Sequence, residues 1–81
     1  MPRNERKHTQ AGNLVQFGAR LRDLRKDRGL SQLNLAHASG LTTPVISELE
    51  RGLRDVSLSA LWPLAEALGV QVRDLFPESS G

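Results

Sequence analysis

Apolar residues recur at three- and four-residue spacing where the chain reads Leu14, Phe17, Leu21 and Leu24. That spacing lines one face of an α-helix. Gly29 interrupts the pattern, as a glycine does just past a helix end, so a first helix is predicted over about residues 14–28. Ser31 supplies a capping hydroxyl for a short second helix over about 32–39, where Leu35, Ala36 and Ala38 precede a terminating Gly40. Thr42 caps a third helix. Pro44 falls in its first turn, where the missing N–H costs nothing; Ile46, Leu49 and Glu50 share one side, and Gly52 ends it. Ser57 caps a fourth helix over about 58–68, with Leu58, Leu61, Leu64, Ala65 and Leu68 turned inward and Gly69 at its end. Pro63 sits too deep for a free position, which predicts a kink or a late start. A last helical turn from Gln71 to Phe76 stops at Pro77. No stretch alternates with period two for long enough to make a strand. The expected fold class is all-α, with five short helices.

The domain reading follows. Residues 1–13 read as a flexible basic arm, 14–76 as the folded domain and 77–81 as a frayed C-terminus. A chain of 81 residues makes one domain with a small core, of modest stability unless it oligomerises. It has no cysteine, so neither a disulfide nor a thiolate metal site is open to it, which fits a reducing cytoplasm. No apolar run approaches the roughly 20 residues of a membrane helix, so no membrane partner is expected. Arg3, Arg6 and Lys7 are followed by Thr9, Gln10, Gly12 and Asn13 rather than by an apolar segment, so a signal peptide is not expected either. His8 lies in the arm and His37 on the second helix, each without a second ligand nearby; no metal, cofactor or small-molecule ligand is expected.

The net charge of +2 decides little, but its placement says more. Arg20, Arg22, Arg25, Lys26 and Arg28 crowd into one stretch opposed only by Asp23 and Asp27. Such a cluster is either the footprint of a phosphate-binding surface or a solvated helix face. An enzyme is not expected: there is no glycine-rich phosphate loop, no nucleophile elbow and no pair of carboxylates on one face.

The informative stretch runs from Ser31 to Gly52, two short helices meeting at a tight turn around Gly40 and Leu41. In a helix-turn-helix the first helix lies across the phosphate backbone and the second enters the major groove by its N-terminal residues. Gln32, Leu35, Ala36, Gly40, Leu41, Ile46, Ser47, Leu49, Glu50 and Gly52 resemble, in order and spacing, the Xre/Cro-repressor type of helix-turn-helix. Arg25 and Gly29 extend the match on one side; Ser57, Leu58, Leu61, Ala65, Leu68, Gly69 and Val70 extend it on the other, so that it covers roughly residues 16–76. The resemblance implies a lambda-repressor-like domain of five helices, with the helix-turn-helix in helices 2 and 3, and a transcription regulator as its function. In length and in its short fifth helix the chain looks most like stand-alone members, among them the controller proteins of restriction-modification systems.

The same resemblance assigns tasks to residues. Base-reading positions map onto Thr43, Pro44 and Glu48, flanked by Val45 and Ser47. The Thr43 hydroxyl can bond a base edge, Pro44 and Val45 can meet thymine methyls, and Glu48 can accept from cytosine N4. Gln32, Thr42, Arg51 and Arg54 fall where backbone phosphates should run. Other readings stay open: Gln32 and Ser31 as a plain helix start, Ser47 as a packing residue, Glu48 as an exposed partner of Arg51 or Arg54. Arg25 and Glu50 are implied to form a partly buried salt bridge between helices 1 and 3.

Trp62 lies off the inward face of helix 4, which makes it a partner-site candidate that Val70, Val72 and Phe76 can extend. The resemblance implies a two-fold dimer interface there. A homodimer would carry two recognition helices about 34 Å apart, matching a palindromic operator in double-stranded DNA. Alternatively Trp62 folds back over the Pro63 kink. The arm either follows the DNA through Arg3, Arg6 and Lys7 or is a solvated tail. An antitoxin or another protein-binding module on the same fold is the rival function.

Overall fold

The computed structural model describes the backbone of residues 3–77 and the side chains of residues 12–77. Four α-helices and one 3-10 turn follow in order: α1 (Arg3–Asp27), α2 (Gln32–Ser39), α3 (Thr43–Glu50), α4 (Leu58–Leu68) and the turn Val72–Leu75. The described residues contain no strand. α1 packs on α3 and on the 3-10 turn, while α2 packs on both α3 and α4. The centre is Leu21, Leu35, Ile46, Leu49, Leu64, Leu68 and Leu75, all fully buried. No helix among the described residues is long and apolar enough to cross a membrane.

Several expectations change. The fifth element is a 3-10 turn rather than an α-helix. Four residues before Pro77 are too few for α-helical bonding, and tighter turns suit short connections. α1 begins at Arg3, not at Leu14, so the backbone of residues 3–13 is helical where an arm was expected. The apolar pattern marks where a helix is covered, not where it starts, and no proline lies between Arg3 and Asp27 to break it. The arm's side chains at Arg3, Arg6 and Lys7, and the end of the chain from residue 78 on, lie outside the described residues. α4 starts at Leu58 and runs through Pro63 without a late start; the proline has no N–H to offer the Ser59 carbonyl one turn earlier. Leu58, expected inside, is 72% exposed. As the first residue of α4 it precedes the turn that meets the core, which begins at Ala60 and Leu61.

Two close approaches set how the helices lie. Gly18 of α1 is buried against the C-terminal end of α3: a Cβ there would stand 2.3 Å from the Leu49 carbonyl oxygen and 2.7 Å from that of Glu50. Gly52, at φ +72°, turns the chain away from α3 so close to α1 that a Cβ would meet Val15 at 2.8 Å. Only glycine fits both the left-handed backbone and that gap.

Candidate nucleic-acid interface

The turn between α2 and α3 is built from local chemistry. Ser31 caps α2 reciprocally with Asn34: the Asn34 N–H donates to Ser31 Oγ at 3.0 Å, and the Ser31 N–H donates to Asn34 Oδ1 at 3.3 Å. α2 ends at Gly40 in the left-handed region, φ +74°, with the Leu41 N–H donating back to the Ala36 carbonyl at 3.0 Å. Thr42 then caps α3, its Oγ1 accepting from the Val45 N–H at 3.3 Å. Pro44 occupies the first turn of α3. Leu41 is half-buried between the helices, and Ala36 is buried where α3 crosses α2.

α3 buries Ile46, Leu49 and Glu50. Its other side carries Thr42, Pro44 and Arg51 exposed, with Thr43, Ser47 and Glu48 partly so. Val45 is half-buried and packs on the core, leaving less of it for an outside partner than the sequence suggested.

Behind this face sits a buried polar cluster. Arg25 grips Glu50 with two bonds, Nε to Oε2 at 2.6 Å and Nη2 to Oε1 at 3.1 Å. Arg25 Nη1 also donates to the Leu30 carbonyl at 2.8 Å. Gln32, read from the sequence as a phosphate contact or a helix start, is half-buried and its Nε2 donates to Glu50 Oε1 at 3.0 Å. One carboxylate thus ties together the end of α3, the last turn of α1 and the start of α2. Among the described residues no buried side-chain nitrogen or oxygen lacks a partner, as a buried ionic cluster requires.

Glu48 is paired too, at the surface. Arg54 Nε and Nη2 both reach its Oε1, each at 2.7 Å, with 48% of the Arg54 side chain and 41% of the Glu48 side chain exposed. Of the alternatives open for Glu48, the free protein shows this pairing. Exposed pairs contribute about 0.2–1 kcal/mol, so another partner can displace either group.

Part of the arginine cluster of α1, weighed above as a phosphate surface or a solvated face, bonds inward. Arg20 Nε donates to the Asp74 carbonyl at 2.9 Å and Arg28 Nε to the Leu68 carbonyl at 2.7 Å. Arg28 thereby serves the C-terminus of α4, where a cation is favoured. With Arg25 in the buried cluster, only Arg22 and Lys26 of the five stay exposed without a side-chain bond among the described residues. Sequence spacing held no signal for these long-range bonds.

On the far side, Trp62 is 59% exposed. It lines an open depression with Ala65, Glu66, Val70, Val72 and Arg73. Phe76, assigned to the same surface, stacks at a tilt on Phe17 of its own chain with ring centroids 5.5 Å apart, although it remains 44% exposed. Phe76 therefore closes the core as well as facing out.

The pattern of the HTH_3 helix-turn-helix family matches residues 21–75, from the C-terminal part of α1 through the 3-10 turn. The chain belongs to this helix-turn-helix family. Similar proteins within it include the HTH-type transcriptional regulator DdrOP3 of Deinococcus deserti, 45% identical over 56 residues that cover 69% of this chain but only 43% of that one. The control protein C.BamHI of Bacillus amyloliquefaciens is 42% identical over 60 residues, 73% of this chain and 74% of that one. Among solved structures, the restriction-modification controller protein C.AhdI of Aeromonas hydrophila superposes with a TM-score of 0.79 at 49% identity, over 80% of this helix-turn-helix chain and 98% of that one.

Proposed function

We propose that the chain is a sequence-specific DNA-binding transcription regulator that acts as a homodimer on a palindromic operator. The observation that carries this reading is α3 itself. Its inner face is locked by Ile46, Leu49 and the Glu50 cluster, while its capped N-terminus presents Thr42, Thr43 and Pro44 outward. That is the arrangement a groove-entering helix needs. In this reading Thr43, Pro44, Val45, Ser47 and Glu48 face the bases, and Thr42, Arg51 and Arg54 meet phosphates. Gln32 joins them through its second amide N–H, the first being held by Glu50. The dimer forms on the depression around Trp62, Val70 and Val72, with Phe76 beside it. Likeness to C.AhdI over nearly all of that chain supports a role as a restriction-modification controller, and in this reading the chain acts on its own promoter.

A fluorescence-anisotropy titration tests this, using the duplex upstream of the chain's own gene against a scrambled duplex of equal length. Tight binding to the first alone, two chains per duplex, is the expected result. Equal, weak, salt-sensitive binding to both would shift the reading to a protein-binding module such as an antitoxin. Thr43→Ala is expected to alter preference among operator variants, whereas Arg51→Ala weakens binding to all of them and lowers the salt slope by about 1. Trp62→Ala is expected to shift the chain toward monomer in sedimentation equilibrium, with a loss of about 2 kcal/mol or more of association energy for a central aromatic. An unchanged dimer constant would move the interface elsewhere.

A further inference from the structure

We propose that Arg54 is a positioning residue for Glu48: it neutralises and aims that carboxylate so that its free oxygen accepts from the exocyclic amine of a cytosine. This rests on the reading of α3 as the helix that enters the major groove. The backbone brings the two residues together. At Gly52 the chain reverses, and the Leu53 N–H donates to the Glu48 carbonyl at 2.9 Å. Arg54 is thereby returned beside the turn of α3 it has just left. Its Nε and Nη2 then converge on one carboxylate oxygen, Oε1, at 2.7 Å each. The other oxygen, Oε2, accepts no hydrogen bond among the described residues. Glu48 lies one turn beyond Pro44, so the two share the outward side of α3.

This geometry solves an electrostatic problem. A lone carboxylate brought up to DNA is repelled by the phosphates on both sides of the groove. Paired with a guanidinium it approaches as a neutral unit, and the hydrogen bond from Nε, with Nη2 beside it, holds Oε1 to Arg54 and leaves Oε2 as the oxygen available to a further donor. A carboxylate oxygen only accepts, and in the major groove cytosine N4 is the donor that glutamate matches. Arg54 keeps Nη1 free for a phosphate, so one side chain can bridge the backbone to the base-reading group. Lysine cannot reproduce that role, because a point charge neutralises without orienting.

The test is anisotropy on the full chain with its own upstream duplex and with duplexes in which each base pair of a half-site is replaced in turn. Glu48→Ala and Arg54→Ala are each expected to lower discrimination at one and the same C·G position by about tenfold. The double variant should lower it no further than either single change. Arg54→Lys should recover overall affinity and salt slope but not that discrimination. Unchanged thermal midpoints would show that the fold is kept in all four, since both side chains are about half exposed. If Arg54→Ala weakened every duplex alike and left discrimination intact, Arg54 would be a phosphate contact only and the proposal would fall. It would fall equally if the two single variants relaxed different positions. A wild-type chain that binds every duplex alike would instead remove the recognition-helix reading itself, a failure visible before any variant is made.

Discussion

Glu50→Ala is expected to lower the unfolding free energy by about 3–5 kcal/mol, measured by urea denaturation. The whole stability of a domain this size is about 4–12 kcal/mol, so the variant should lose a large share of it and its urea midpoint should fall accordingly. The reason is the number of groups one carboxylate serves. Removing it leaves the Arg25 guanidinium, 10% exposed, with a single bond to the Leu30 carbonyl, and strips Gln32 Nε2 of its acceptor. A buried charge without its partner costs more than the pair ever contributed. The control is to remove the charge on both sides. Arg25→Met with Glu50→Leu should recover most of the loss, because apolar groups of similar volume need no partners. A Glu50→Ala chain with an unchanged urea midpoint would mean that the cluster carries no weight in the fold.

Gly18→Ala should be the second severe change, and it has an internal control. In an exposed helix this substitution stabilises by about 1 kcal/mol, because alanine loses less backbone freedom. Gly12, on the same helix with nothing within 4 Å of an added Cβ, should show that gain. At Gly18 the new methyl would lie 2.3 Å from a backbone oxygen of α3, which has no rotamer by which to move aside. α1 and α3 must separate, and the shift pulls on the Arg25–Glu50 bonds that span the same two helices. A net loss of about 2 kcal/mol or more is expected, the overpacking cost exceeding the gain in propensity. Thermal melts of the two variants should therefore move in opposite directions. If Gly18→Ala also stabilised, the helices would not be in the contact described.

The sequence announced some of this and was silent on the rest, for physical reasons. Helix ends at Gly29, Gly40, Gly52 and Gly69 were legible because a left-handed residue is a local requirement, and all four have positive φ. The caps at Ser31 and Thr42 were legible on the same ground. The start of α1 was not: residues 3–13 carry no apolar face, and an uncovered helix looks like a loop. Leu58 was read as core because periodicity gives a face and not where along the helix the neighbour begins. In the candidate site, the outward side of α3 followed from three inward residues and 100° per residue. Glu48 could be assigned two partners but not one of them, since only the reversal at Gly52 decides in favour of Arg54. Arg20 and Arg28 look like any surface cations in a local window. Their bonds to Asp74 and Leu68 span 54 and 40 residues of sequence. Gly18 carries no mark in the sequence of its place where two backbones meet.

Those inward-bonded arginines bear on how such a protein would search a genome. Affinity for arbitrary DNA grows with the number of cations free to displace counterions from phosphates. Arg25 is held by a carboxylate, and Arg20 and Arg28 are each anchored through Nε to a backbone carbonyl, which limits how far their charge can follow a phosphate. If the chain reads DNA as proposed, arginines anchored in this way shorten its stay on random sequence. Fewer copies are then lost among the millions of wrong sites, and occupancy of the right one tracks how much protein the cell has made.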